Sequence, residues 1–141
     1  MLDLDNLGDG EFLVNVLGIV FDTKTKKILI GKRENDPYIK ELGWCFPGDM
    51  PCHEEDLEEC LKKKIKEFTE IDVESLGVIF AKSYPENRKI MSVYYLCEIV
   101  GGEAKAGGKF VDVKWVDPEE LEKYFTTSFH PKLKEYILGL K

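Results

Sequence analysis

The sequence predicts an α/β (α+β) fold, a mixed sheet with helices packed on it, and three observations carry that prediction. Residues 12–21 (FLVNVLGIVF) are apolar and rich in β-branched side chains, and a polar turn at 22–26 leads to the weakly alternating KILIGK of 27–32, so this stretch reads as a hairpin. From Asp56 a Glu- and Lys-rich segment carries Leu57, Leu61, Ile65 and Phe68 at helical spacing, which predicts one amphipathic helix with a buried stripe. Two long strand candidates, 73–84 and 89–100, flank the turn Pro85, Glu86 and Asn87. Strands and helices interleave in that order, which is the pattern of a sheet covered by helices.

The remaining elements follow from local chemistry. Residues 33–43 form a polar loop with Pro37 and Gly43, then a short strand at Trp44 and a Pro-Gly turn. Asp56 is a good N-cap, and Glu59 three residues later gives a capping-box pattern. A Gly-rich turn at 101–108 leads to a strand at 110–116; Pro118 suits the first turn of a short helix at 119–124, and 131–140 reads as a last amphipathic helix. The first ten residues read as either an extra helix or an arm.

At 141 residues the chain has the size of one domain, 1–141, able to bury a core without disulfides or a structural metal. Its 43% hydrophobic and 33% charged residues are those of a globular rather than a disordered chain. A formal charge of −7 argues against nucleic acid as a partner, which needs a basic face. No apolar run approaches the roughly 20 residues of a membrane span and the N-terminus is acidic, so no membrane association and a cytoplasmic location are expected. Cys45, Cys52, Cys60 and Cys97 show no C-x-x-C spacing; a zinc site at Cys45, Cys52, His53 and Cys60 matches no common finger, and free thiols, half of them buried, are the expectation.

The segment 44–71, WCFPGDMPCHEEDLEECLKKKIKEFTEI, resembles the Nudix box, GX5EX7REUXEEXGU with U apolar. In the best register, 49–71, the pattern opens on Asp49, puts its first Glu on Glu55 and closes on Ile71. The resemblance covers about residues 12–125. IGKRENDPYIKELGWCFPGD is similar to the family's apolar strand that ends in Lys-Arg before a loop to Trp-x-x-Pro-Gly-Gly, and VDVKWVDPEEL to its late strand and helix start. The loop also resembles that of the GDP-mannose hydrolase branch, which has a reduced box of its own. The resemblance implies a Nudix-type α/β/α sandwich with a mixed curved sheet and a nucleoside diphosphate linked to another group as the small-molecule ligand. Many relatives are dimers, so a homodimer is compatible with it.

In that family, helix carboxylates and a carbonyl near the Pro-Gly turn hold Mg²⁺, which neutralises a diphosphate and orients a water. The carboxylates should fall at 64, 67 and 68, which share one helix face. Here those positions are Lys64, Glu67 and Phe68. The opening Gly is Asp49, the Arg is Lys63 and the late Gly is Glu70. The loop before the late strand offers Lys109 and Phe110. A slip of register mends nothing, because 62–64 are all Lys. What the resemblance leaves for a metal is the Gly48 carbonyl, Glu55 and Glu67, with Glu67 as the catalytic residue if hydrolysis occurs.

Lys64 and Lys109 could instead place ammonium groups where divalent ions belong, as a phosphate cradle beside Arg33, without generating a hydroxide nucleophile. The plainer reading of Lys62, Lys63, Lys64 and Lys66 is a solvated face paired as Glu58–Lys62 and Glu59–Lys63. For Arg33 the resemblance implies phosphate contact, and an ion pair with Glu34 or Asp36 is the alternative. Tyr38 is a candidate for stacking a nucleobase, Phe46 for the core. His53 and His130 read as surface residues, His53 also as a minor base candidate. Three functions stay open: a binder of a nucleoside diphosphate derivative with weak or absent Mg²⁺-dependent hydrolysis, a hydrolase using a reduced metal site around Glu67, and a partner-binding domain.

Overall fold

A computed structural model describes residues 4–140. The elements are β1 (Leu13–Asp22), β2 (Lys27–Lys32), β3 (Trp44–Cys45), β4 (Gly48–Asp49), α1 (Leu57–Thr69), β5 (Asp72–Tyr84), β6 (Asn87–Gly101), β7 (Asp112–Val116), α2 (Leu121–Tyr124) and α3 (Pro131–Leu138). Single 3-10 turns at Leu4–Asn6 and Pro118–Glu120 complete the set. The expected strands and helices are present, with ends moved by one or two residues. The last strand starts at Asp112 because Phe110 belongs to a turn, its N–H bonding Gly107 O at 2.9 Å. Of the first ten residues, Met1 to Asp3 lie outside the described part. Leu4–Asn6 forms one turn, held by Lys89 Nζ, which donates to Leu4 O at 2.8 Å.

All seven strands form one mixed sheet, in which β1 runs parallel to β6 and the other pairings are antiparallel. β1 and β2 pair only at Phe21–Ile28 and Asp22–Lys27. Beyond that point they part. β3 takes the freed edge of β2 at Gly31 and Lys32, and β4 takes that of β1 at Val16 and Leu17. The split brings the Pro-Gly turn into the middle of the sheet.

Alternation along β1 serves two cores, because successive side chains of a strand point to opposite faces. Val16 and Val20 pack with Leu61 and Ile65 of α1, while Leu17, Ile19 and Phe21 pack with Leu121 of α2 and Leu133 and Ile137 of α3. Helices therefore cover both faces, as an α/β/α sandwich requires. A Cβ at Gly18 would stand 2.7 Å from Ile65 Cδ1, so the glycine lets α1 lie close on the sheet. No helix among the described residues is long and apolar enough to cross a membrane.

Helix α1 is capped at both ends. Asp56 accepts from the Glu59 N–H at 2.9 Å, and Glu70 ends the helix in the left-handed region at φ 60°. The Gly-rich segment then satisfies the last carbonyls: Lys105 N–H donates to Thr69 O at 2.9 Å and Gly107 N–H to Phe68 O at 3.0 Å. The buried stripe is Cys60, Leu61, Ile65, Phe68 and Thr69. Leu57, expected in that stripe, is 40% exposed, because it stands on the first helical residue beyond the edge of the core.

Gly48 is the tightest backbone position. It has φ +146°, and a Cβ there would lie 2.0 Å from Val16 O on β1. Gly48→Ala is therefore expected to cost more than about 2 kcal/mol. Urea unfolding would check it; a midpoint within error of the wild type would mean that β4 has room to move.

Candidate functional site

The site lies where β1 and β2 part, and its centre is Arg33, the first residue after β2. Its N–H bonds Gly43 O at 2.9 Å, which fixes the backbone, and its side chain turns inward until only 12% of it is exposed. There Nη2 donates to the Gly48 carbonyl at 2.7 Å. Asp49 Oδ1 stands 3.9 Å from Nη2 and Asp36 Oδ1 3.6 Å from Nη1. The guanidinium carbon lies 5.6 Å from the Phe68 ring centroid and 5.9 Å from that of Phe110, inside cation–π range. Among the described residues Nε, which is buried, has no hydrogen-bond partner.

The two phenylalanines are built in by glycines. Phe68 is 1% and Phe110 3% exposed, and their rings pack 5.3 Å apart. A Cβ on Gly31 would sit 2.0 Å from the Phe110 ring, and one on Gly108 2.4 Å from the Phe68 ring. Each aromatic thus occupies space that a glycine vacates.

Asp49 is buried and carries the second ion pair of the site, its Oδ2 2.7 Å from Lys109 Nζ. The Met50 N–H donates to Oδ1 at 2.9 Å. Asp36 accepts from the Tyr38 and Ile39 N–H groups at 3.0 and 2.8 Å, which shapes the loop after Arg33. Above these groups opens a cavity of about 320 Å³, at the lower end of ligand-pocket sizes. Arg33, Lys109, Tyr38 and Asp49 stand on its walls; Leu17, Phe46, Tyr84 and Ile90 make an apolar side. Burial pushes the Tyr84 phenol above its ordinary value, so it is a neutral group there.

The structure brings Arg33, Tyr38 and Lys109 to one cavity and leaves Lys64, Glu55 and Glu67 off its walls. Lys64, half-buried between Cys60 and Phe68 on the helix, has its Nζ 3.7 Å from Glu67 Oε2 and lines no part of the cavity, so it does not complete a cradle with Arg33 and Lys109 there. Lys63 is bonded to Glu55, Lys62 lies within 3.6 Å of Glu59 and 3.2 Å of Glu74, and Lys66 is 3.0 Å from Asp72. The helix lysines are thus ion-paired, Lys63 and Lys66 exposed and Lys62 and Lys64 half-buried, with partners other than the expected Glu58–Lys62 and Glu59–Lys63.

The donors left for Mg²⁺ do not fit it as a set. Gly48 O accepts from a guanidinium, and Glu55 and Glu67 are each paired with a lysine. Among the described residues no three His, Cys, Asp or Glu side chains gather as a metal site. The four cysteines are free, with Cys60 and Cys97 buried. His53 is exposed in the box loop, whereas His130 is half-buried and caps α3, its Nδ1 accepting from the Lys132 N–H at 3.1 Å. Phe46 is core, edge-on to Phe125 at 5.0 Å.

Sequence reasoning missed Asp49 as a functional group. The signal was present: an acid in place of the box's opening Gly and a lysine in the late loop are complementary charges.

The chain belongs to the Nudix family: the NUDIX domain model matches residues 11–137. It is 33% identical over 115 residues to an ADP-ribose pyrophosphatase of Methanocaldococcus jannaschii, covering 78% of this chain and only 64% of that relative's length. Among solved structures it is similar to an ADP-ribose pyrophosphatase of Streptococcus suis (TM-score 0.67, 20% identity, 90% of each chain). It is also similar to the NUDIX domain of Shewanella oneidensis NrtR complexed with ADP ribose (TM-score 0.68, 22% identity, 94% of this chain and 92% of the other).

Two box positions on one helix now make opposite predictions. Phe68→Ala should cost about 3–5 kcal/mol, as for other buried aromatics. Lys64→Glu, at a half-buried position whose ion-pair partner is the exposed Glu67, should change stability by about 1 kcal/mol or less. Denaturant unfolding of both variants checks the assignment; a costly Lys64→Glu would put that lysine in the packed site.

Proposed function

We propose that the protein binds a nucleoside diphosphate linked to another group in the cavity above Arg33, and that Mg²⁺-dependent hydrolysis there is weak or absent. One observation carries the second half: the Arg33 guanidinium is hydrogen-bonded to the Gly48 carbonyl, the backbone oxygen that the Nudix resemblance assigns to the metal. A divalent ion at that oxygen would face a buried cation at contact distance, which Coulomb repulsion forbids unless Arg33 leaves.

The binding half is supported by the cavity's chemistry. Two cations, Arg33 and Lys109, are balanced locally by Asp36 and Asp49, so anion binding draws on free donors rather than on net charge. Those donors are the remaining protons of the half-exposed Lys109 ammonium. The apolar side, with Tyr38 at the mouth, suits a base and sugar. At about 320 Å³ the cavity is at the lower end of the size of small-molecule sites. Relatives named for ADP-ribose make it the first compound to try.

A hydrolase with a reduced metal site is the second reading. The observation in its favour is that the ion pairs holding Glu55 and Glu67 lie at the surface, where such pairs are worth roughly 0–1 kcal/mol and exchange readily.

The test is calorimetric titration with ADP-ribose, with and without EDTA, alongside an assay of the same mixtures for phosphate-containing products. We expect binding that EDTA leaves unchanged, no product, and affinity lowered about tenfold by Lys109→Ala, the loss of one charge-assisted contact. Product formed at ordinary enzyme rates with Mg²⁺, and abolished in Glu67→Gln, would replace this reading by the second.

A further inference from the structure

Outside the cavity, the box loop and α1 bring two cysteines into contact. Cys52 lies in residues 50–56, a stretch without helix or strand, and is half-buried; Cys60 lies in the second turn of α1 and is 1% exposed. The Cys52 N–H donates to Cys60 Sγ at 3.0 Å. An N–Cα bond of about 1.46 Å then puts the Cys52 Cα within about 4.5 Å of that sulfur. The usual disulfide Cα–Cα separation of about 5.5–6 Å is therefore within reach without moving α1.

We propose that Cys52 and Cys60 are a reversible oxidation site, closing to an intramolecular disulfide when a peroxide is the oxidant. The partly accessible Cys52 sulfur attacks the peroxide: an S–O bond forms, the O–O bond breaks, the sulfur becomes a sulfenic acid and one oxygen leaves as water or alcohol. Cys60 sulfur then attacks Cys52 sulfur. The S–S bond forms, the S–O bond breaks, and the departing hydroxide takes the Cys60 proton as a second water. A dithiol reductant returns both thiols.

Mutual contact separates this pair from the other two cysteines. Burial pushes the Cys45 and Cys97 thiols up to about 12, so both stay protonated and slow to react. Cys60, only 1% exposed, is shielded from the oxidant but touches Cys52, so the electrophile it meets is a sulfenic acid formed there. The closed loop, 52–60, holds Glu55 and the α1 cap Asp56, and it starts two residues beyond Met50 on the cavity wall. Oxidation would thus tie that wall to the helix.

The experiment treats the reduced full chain with hydrogen peroxide, alkylates the remaining thiols, and maps the peptides by mass spectrometry. We expect a peptide pair joined through Cys52 and Cys60, a loss of two hydrogens from the intact mass, and reversal by dithiothreitol. The link should be absent in Cys52→Ser and in Cys60→Ser, whose circular dichroism spectra show whether they fold. The oxidised wild type should also melt at a higher temperature than the reduced form. Cys52 carried on to sulfinic or sulfonic acid with Cys60 still alkylatable would overturn the proposal. So would a link between two chains, or four thiols left intact.

Discussion

The hydrogen bond from Arg33 to the Gly48 carbonyl organises this structure. A guanidinium that is only 12% exposed has lost most of its water, and it must be repaid by neighbours that fit it. The Gly48 oxygen supplies one acceptor at 2.7 Å, Asp49 and Asp36 supply charge at 3.9 and 3.6 Å, and the Phe68 and Phe110 rings supply their faces. The five partners come from four elements: β4, the loop after β2, α1 and the turn before β7. Those elements can converge only because β1 and β2 part after two pairs.

Seen from that bond, the departures from the Nudix box form a consistent set. A carboxylate at 68 would be buried under the guanidinium with no room for a metal; a phenylalanine gives the cation a ring instead. An aspartate at 49 balances Arg33 and receives Lys109. Glu55 and Glu67 pair with Lys63 and Lys64 of α1. The weak surface pairs contribute little to stability. The buried cluster is where substitution would be felt, since removing one partner strands a desolvated charge.

The sheet, the box helix and its Asp56 cap were legible in the sequence, because hydrophobic period and capping chemistry are local signals. Leu57 was misplaced because the stripe's spacing does not say where the core ends. The site was legible only in part. Arg33, Tyr38 and Lys109 could be picked out, but the position of Lys64 could not, since neighbouring helix residues 62–64 differ by about 100° in direction and are all lysine. The Arg33–Gly48 bond was hidden for a different reason. It joins residues fifteen apart in sequence through a backbone oxygen, which leaves no mark on residue identity. The glycines at 31 and 108 were visible as residues, and only the packed rings explain them.

Arg33 stands at the backbone oxygen that the Nudix resemblance gives to a metal ion. Titration of Mn²⁺ followed by electron paramagnetic resonance, in the presence of ADP-ribose, tests this most directly. The account predicts that the signal of free Mn²⁺ is the same with and without the protein. Stoichiometric loss of that signal, reversed by excess Mg²⁺, would mean that Arg33 yields its place to a metal, and would contradict it.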